Sequence, residues 1–310
     1  GIRVDSHSSG EEYATSVKVS DSAFPTTKFS KTTVNPRIAI KYELTPSLVL
    51  RANVGTGFRA PYGFSEDLHL CSGSPRVWKS SNLKGERAIS YNLSADYYAK
   101  KYQFSINLFR TNLKDKIQFS PADDEVKKFG YSYQWENVDD AYVQGVELGA
   151  KANLFRNFNA GINWTFNQGK FKHERADWSD PNDETVKEFP QRLQYAKDSR
   201  NVSRFPAMTG DIDLDYTPGT WTFSLTSSLQ GRMFIDYNSE DDGATSKIKK
   251  TNTFMLFNCR AAKRFGSCTV YAGAKNIFSY IQDEKHTDDA AFMYAPVYGA
   301  TWYVGLSVKL

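Results

Sequence analysis

Residues 301–310 alternate without a break: Trp302, Val304, Leu306, Val308 and Leu310 fall on one parity, Thr301, Tyr303, Gly305, Ser307 and Lys309 on the other. Successive side chains of a strand point to opposite faces, so this segment predicts a strand with one apolar and one polar face. The pattern recurs along the chain. Leu48, Leu50, Ala52 and Val54 oppose Val49, Arg51, Asn53 and Gly55; Ile89, Tyr91, Leu93, Ala95 and Tyr97 oppose Ser90, Asn92, Ser94 and Asp96. Val146, Leu148, Ala150, Ala152 and Leu154 oppose Glu147, Lys151 and Asn153, and Trp221, Phe223, Leu225 and Leu229 oppose Thr222, Ser224, Thr226 and Gln230. Together these runs predict twelve strands, at about 1–6, 35–43, 47–57, 86–99, 102–119, 131–154, 158–169, 207–217, 220–236, 252–264, 267–279 and 297–310.

The links between these strands alternate in length. Leu44–Ser47, Ala99–Tyr102, Phe155–Phe158, Thr217–Thr220 and Arg264–Ser267 are tight and carry residues that short hairpin turns favour. The others, about 7–34, 58–85, 120–130, 170–206, 237–251 and 280–296, are long. Every long link then lies on one side of the sheet. A transmembrane antiparallel up-and-down β-barrel has this form, with long extracellular loops and short periplasmic turns. A soluble sandwich gives no reason for it.

Composition agrees with the barrel. The mean hydropathy of −0.55 excludes a helical membrane span, whereas a barrel strand needs only every second residue apolar. The 18 Tyr, 21 Phe and 6 Trp suit interfacial aromatic girdles. Three inward aspartates, Asp211, Asp213 and Asp215, oppose Ile212, Leu214 and Tyr216; a dry core would not tolerate them unpaired, and a hydrated lumen does. The net charge of +4 is spread without a basic block, so nucleic acid is not an expected partner. The chain opens inside a strand, at Gly1–Asp5, without a signal peptide, and reads as a fragment.

Several segments resemble the signature of TonB-dependent outer-membrane receptors. They are Asn35–Tyr42; Leu50–Pro61, ending in Phe58, Arg59, Ala60 and Pro61; Ser81–Glu86, a variant of an Asn-Pro-Asn-Leu-Lys-Pro-Glu box that keeps Asn82, Leu83 and Glu86; Glu136–Val138 with Gln144–Glu147, including Gly145 and Glu147; Ala274–Phe278, including Asn276 and Phe278; and Tyr303–Lys309. They occur in the family's order over nearly the whole chain. Two departures stand out: Ser81 and Gly85 replace the box's prolines, and Leu310 replaces the usual terminal aromatic. The resemblance implies an all-β, 22-stranded barrel with a plugged lumen, of which residues 1–310 form the C-terminal half. The N-terminal plug and first strands are then absent, and would come from the same or another chain, because open strand edges are not allowed in lipid.

What the resemblance implies for function is active uptake, energised by TonB acting through the absent plug, at the outer membrane of a Gram-negative bacterium. Expected cargoes are ferric siderophores, haem or cobalamin. Outer-membrane lipid surrounds the wall, and a surface lipoprotein is a further candidate partner. A passive pore and a barrel adhesin are the alternative readings. No resident cofactor or metal is expected, and no nucleophile motif or phosphate loop points to an enzyme; the pairs Asp123-Asp124 and Asp288-Asp289 lack a His, Ser or Lys at catalytic spacing.

Cargo contacts are expected in the long loops, chiefly 58–85, which holds Tyr62, His69, Arg76, Trp78 and Lys79. His69 is either an iron ligand, as in haem receptors that the family includes, or a loop histidine bonded to backbone. Arg76 and Lys79 suit an anionic chelate. Trp178, Tyr237 and Tyr294 offer flat surfaces to a planar ligand, or pack within their own loops. Asp236, Asn238, Glu240, Asp241 and Asp242 have a calcium-like spacing without the required glycine, since the sixth position is Asp241. Three cysteines make no disulfide framework. Cys259 and Cys268 flank a turn in a register that sets Cys268 opposite Lys263, which predicts no bridge between them and a lipid-facing position for both.

Overall fold

A strand with one apolar face still needs partners for its backbone groups on both edges, and this chain supplies them in sequence order. The computed structural model describes residues 1–11, 27–61, 77–79, 82–121, 124–128, 133–173, 200–202, 204–238, 246–282 and 294–309. The elements are β1 (Ile2–Glu11), β2 (Thr27–Thr45), β3 (Leu48–Arg59), β4 (Val77–Lys79), β5 (Glu86–Tyr98), β6 (Tyr102–Pro121), the single turn α1 (Asp124–Lys127), β7 (Tyr133–Phe155), β8 (Phe158–Phe171), β9 (Met208–Tyr216), β10 (Trp221–Gln230), β11 (Phe234–Asn238), β12 (Ser246–Lys250), β13 (Phe254–Phe265), β14 (Cys268–Lys275) and β15 (Thr301–Val308). Twelve of the strands form one antiparallel meander, β1-β2-β3-β5-β6-β7-β8-β9-β10-β13-β14-β15. Among the described residues β1 and β15 do not pair with each other, so the sheet is open. Among the described residues no helix is long and apolar enough to cross a membrane.

The predicted parities hold. Ile38, Ile89, Leu148, Trp302, Val304 and Leu306 are exposed on one face, Val304 by 81% and Trp302 by 75%. The polar face satisfies itself across strands: Arg51 pairs with Asp96, Asn107 donates to Glu147 at 2.8 Å, Asn163 to Asp211 at 2.7 Å and Ser224 to Asp215 at 2.6 Å. Two of the three inward aspartates therefore have hydrogen-bond donors beside them. On the same face, the rings of Tyr271 and Tyr303 occupy the space that a side chain at Gly305 and Gly273 would need.

The twelve predicted strands all form, with four differences. The first long link is shorter than predicted, because β1 runs on to Glu11 and β2 begins at Thr27, paired with each other throughout. The strand predicted over 220–236 ends at Gln230; Gly231 lies too close to the Met208 backbone for any Cβ, and the chain resumes as the separate β11–β12 hairpin. The strands predicted over 267–279 and 297–310 are shorter, at 268–275 and 301–308. Finally, Cys268 pairs with Phe265 rather than Lys263, because Gly266 takes a φ of +60° and closes a two-residue turn with Ser267. Cys259 faces Ala274, and both thiols are free. Their rows also hold Leu225 and Val308, so both lie on the lipid-facing parity as predicted.

Candidate functional site at the long-loop mouth

The loop between β3 and β5 is rooted at both ends on neighbouring strands. At its start, Pro61 is fully buried and its carbonyl accepts the Ser9 hydroxyl at 3.0 Å. The Phe58 ring stacks on Phe29, 5.9 Å between centroids, and tilts against His7 at 4.9 Å. In its middle, β4 pairs in parallel with the start of β7, Trp78 opposite Gln134. The Trp78 indole nitrogen and His7 Nε2 are buried without a hydrogen-bond partner among the described residues.

At the far end one asparagine holds three segments. Asn137 accepts the Lys84 amide at 2.8 Å and donates to the Lys84 carbonyl at 3.0 Å and to the Asp115 carbonyl at 2.8 Å. Asp115 adopts a φ of +54°, a left-handed conformation that these bonds help to hold. Beside it Leu83 packs with Ile117 and Trp135, and Glu86 accepts the Ile117 amide at 3.1 Å. Gly85 explains one missing proline: any Cβ there would overlap the Phe58 ring. The boxes at 58–61, 82–86 and 136–138 are thus parts of one clamp.

A second clamp closes the opposite sector. Asn276, with a φ of +50°, donates to the carbonyls of Tyr280 and Tyr298 at 2.7 and 3.2 Å and accepts the Tyr280 amide at 2.9 Å. Its own amide donates to Asn258 at 3.0 Å. The buried Gln282 side chain accepts the amides of Tyr294 and Ala295 at 2.9 and 3.1 Å. Tyr294 thereby enters a cluster with Met233 and Phe254 and is 9% exposed. Phe278 is exposed, edge-on to Phe257 at 5.3 Å.

Of the predicted cargo residues, Trp78 lies in β4 and Tyr294 in this cluster. Tyr237 lies on β11 and Lys79 on β4, where only the backbone is described. Tyr62, His69, Arg76 and Trp178 lie outside the described residues, as do Glu240, Asp241 and Asp242. Gly145 is pressed between the Phe109 ring and the Phe166 carbonyl, and Glu147 takes the Asn107 amide, so both are wall residues. Arg59 and Asn82 are exposed beside the first clamp. His7 and Gln282 carry no signal in the sequence, and Asn137 shows there only as part of the segment 136–138; their partners are 12 to 53 positions away, and only the fold brings them together. Among the described residues no group of His, Cys, Asp or Glu has metal-binding geometry.

The sequence model described as TonB dependent receptor-like, beta-barrel matches residues 1–277. The vitamin B12 transporter BtuB of Photobacterium profundum is 27% identical over 231 residues, which cover 73% of this chain and 30% of that protein. The ferric enterobactin receptor of Pseudomonas aeruginosa is 27% identical over 151 residues, 43% of this chain and 20% of the receptor. The solved structure of the copper transporter OprC superposes with a TM-score of 0.68 at 20% identity, over 98% of this chain and 44% of that one. This chain therefore spans less than half of the proteins it resembles.

Proposed function

The chain belongs to the TonB-dependent receptor β-barrel family, and from that premise we propose that it is part of an outer-membrane transporter for a scarce, large nutrient, energised through TonB. The plug and remaining barrel strands, which we assign to the rest of the protein, complete the wall and couple it to TonB. Cargo is a ferric siderophore, haem or cobalamin; relatives described as a vitamin B12 transporter and a ferric enterobactin receptor favour this class.

The observation that carries the binding reading is the rooting of loop 58–85. A binding loop works best on a rigid scaffold, because ordering it on contact costs affinity. Asn137, Leu83 and Pro61 fix both ends of this loop, while its middle holds Tyr62, His69, Arg76, Trp78 and Lys79. Deleting residues 66–79 in the complete receptor is expected to abolish uptake and leave the barrel in the outer membrane. His69→Ala alone is expected to impair haem uptake strongly and uptake of a siderophore or cobalamin weakly. Uptake unchanged by the deletion would transfer binding to 170–206 or 280–296. Uptake that persists without TonB would overturn active transport in favour of a passive pore.

A further inference from the structure

The lipid-facing parity does not stay apolar up to the long loops in every sector. Directly opposed residues of an antiparallel pair share a face, so rows can be followed across the sheet. Leu93, Leu108, Val146 and Phe166 form an apolar row. The next row toward the long loops is Ile38, Val54, Tyr91, Arg110, Gln144 and Gln168. Beyond it come Ile89, Asn112, Tyr142 and Lys170, and then Arg87 opposite Lys114. Lys172 follows Lys170 by two positions, its amide bonded to the Asp140 carbonyl at 2.8 Å.

This sector is cationic and built. Arg87, Arg110, Lys114 and Lys172 are exposed, and none has a carboxylate within ion-pair distance among the described residues. Arg110 is held in place: it donates to Asn112 at 2.9 Å and Gln144 at 2.6 Å, and its guanidinium lies 4.4 Å from the Tyr142 ring centre. These cations, with Arg200, line a cavity of about 740 Å³ whose single acidic residue is Asp140. One Asp140 oxygen already accepts the Asp115 amide at 3.1 Å. On β9, β10 and β13–β15 the same parity carries one cation, Lys263, and it lies at the short-turn end against the rings of Trp221 and Phe265. On β1–β3 the same parity also carries one cation, Lys28 near the long-loop end of β2, so a general taste for basic residues at the headgroup level would not gather five of them in the β5–β8 sector.

We propose that this sector is a binding site for the phosphorylated headgroup of an outer-leaflet lipid. Arg87, Arg110, Lys114 and Lys172 hold the phosphates, with the rigid Arg110 fork suited to a bidentate contact, and the acyl chains lie along Leu108, Val146 and Phe166. The headgroup and chain halves meet where the wall changes from apolar to polar, the depth at which a lipid phosphate resides.

The test uses the complete receptor, purified in detergent, and native mass spectrometry of bound lipid. Diphosphorylated lipid A is expected to remain bound, and the same lipid stripped of its phosphates is expected to be lost; that comparison needs no variant. In the triple variant Arg87→Gln, Arg110→Gln, Lys114→Gln, retention is expected to fall about 100-fold at fixed lipid. Lys263→Gln is expected to leave it unchanged. Equal retention of the dephosphorylated lipid, or wild-type retention by the triple variant, would overturn the site. Displacement by millimolar inorganic phosphate would also overturn it, by marking a free-anion site instead.

Discussion

Ile106 on β6 provides the sharpest test of which face meets lipid. It is 41% exposed, flanked in its row by Ala95 and Leu148, and lies four residues from Tyr102 and four from Arg110, the two ends of the apolar run on this strand. At about 3.4 Å per residue and a tilt of about 40°, it lies about 10 Å below the polar boundary, close to the centre of a band about 25 Å tall. Ile106→Arg is expected to cost about 2–4 kcal/mol, the penalty for a midplane cation on a barrel's outer wall, or roughly 30- to 700-fold in the folding equilibrium. Asn107→Arg, one residue on, points into the lumen and gains the Glu147 carboxylate that Asn107 already contacts at 2.8 Å, so its expected cost is below about 0.5 kcal/mol. Urea titrations of the complete receptor folding into lipid vesicles, followed by heat-modifiable mobility, measure both. Penalties that agree within error, or a larger one for Asn107→Arg, would refute the assigned faces.

Gly85→Ala should destabilise the first clamp by about 1–3 kcal/mol through overlap with Phe58. Adding Phe58→Ala should cost less than the sum of the single changes, a coupling that a double-mutant cycle reads. Asn137→Ala removes the bonds to Lys84 and Asp115 and should cost about 1–3 kcal/mol, with faster proteolysis within 58–85. Asp139, above the membrane-spanning part of β7, responds to acid. Burial raises its carboxyl, but bonds from the His173 amide at 2.6 Å, the His173 ring and the Asp140 amide outweigh this and hold it below its ordinary value of 3.8. A depressed carboxyl contributes stability above its unfolded value and loses it as pH falls through the folded one. Hydrogen exchange at 172–173 should therefore accelerate only below about pH 4, and Asp139→Asn should remove that dependence.

The twelve strands were legible because lipid and lumen impose opposite demands on alternate residues, and irregularities such as the register shift at 113–117 of β6 lie toward the strand ends. The pattern fades where both faces are wet. The upper ends of β1 and β2, from His7 to Glu11 and Thr27 to Val34, are rich in Ser, Thr and Lys on both parities, so their pairing leaves no mark in the sequence. The β4 strand, at three residues, is too short to show a period, and the β11–β12 hairpin straddles the boundary between an expected strand and an expected loop. Cys268 departs from its expected register because Gly266 permits a two-residue turn where the sequence alone suggests four. The family boxes were visible as words, but their mutual contact was not. Asn137 meets Lys84 across 53 positions, and Gly85 fits its place only because Phe58 fills the adjoining space.

The interlocked tyrosines of β14 and β15 set the alignment of that hairpin. Tyr271 stands opposite Gly305 and Tyr303 opposite Gly273, the two rings 6.3 Å apart at 61°. A slip of one residue would turn Trp302, Val304 and Leu306 into the lumen. A slip of two keeps every face correct, so lipid could not detect it. In one direction, however, that slip sets Tyr271 against Tyr303; in the other, it leaves Gly273 against Gly305 with neither ring to cover them. Four residues thus act as a local proofreading device, rejecting the one class of misalignment to which the membrane is blind.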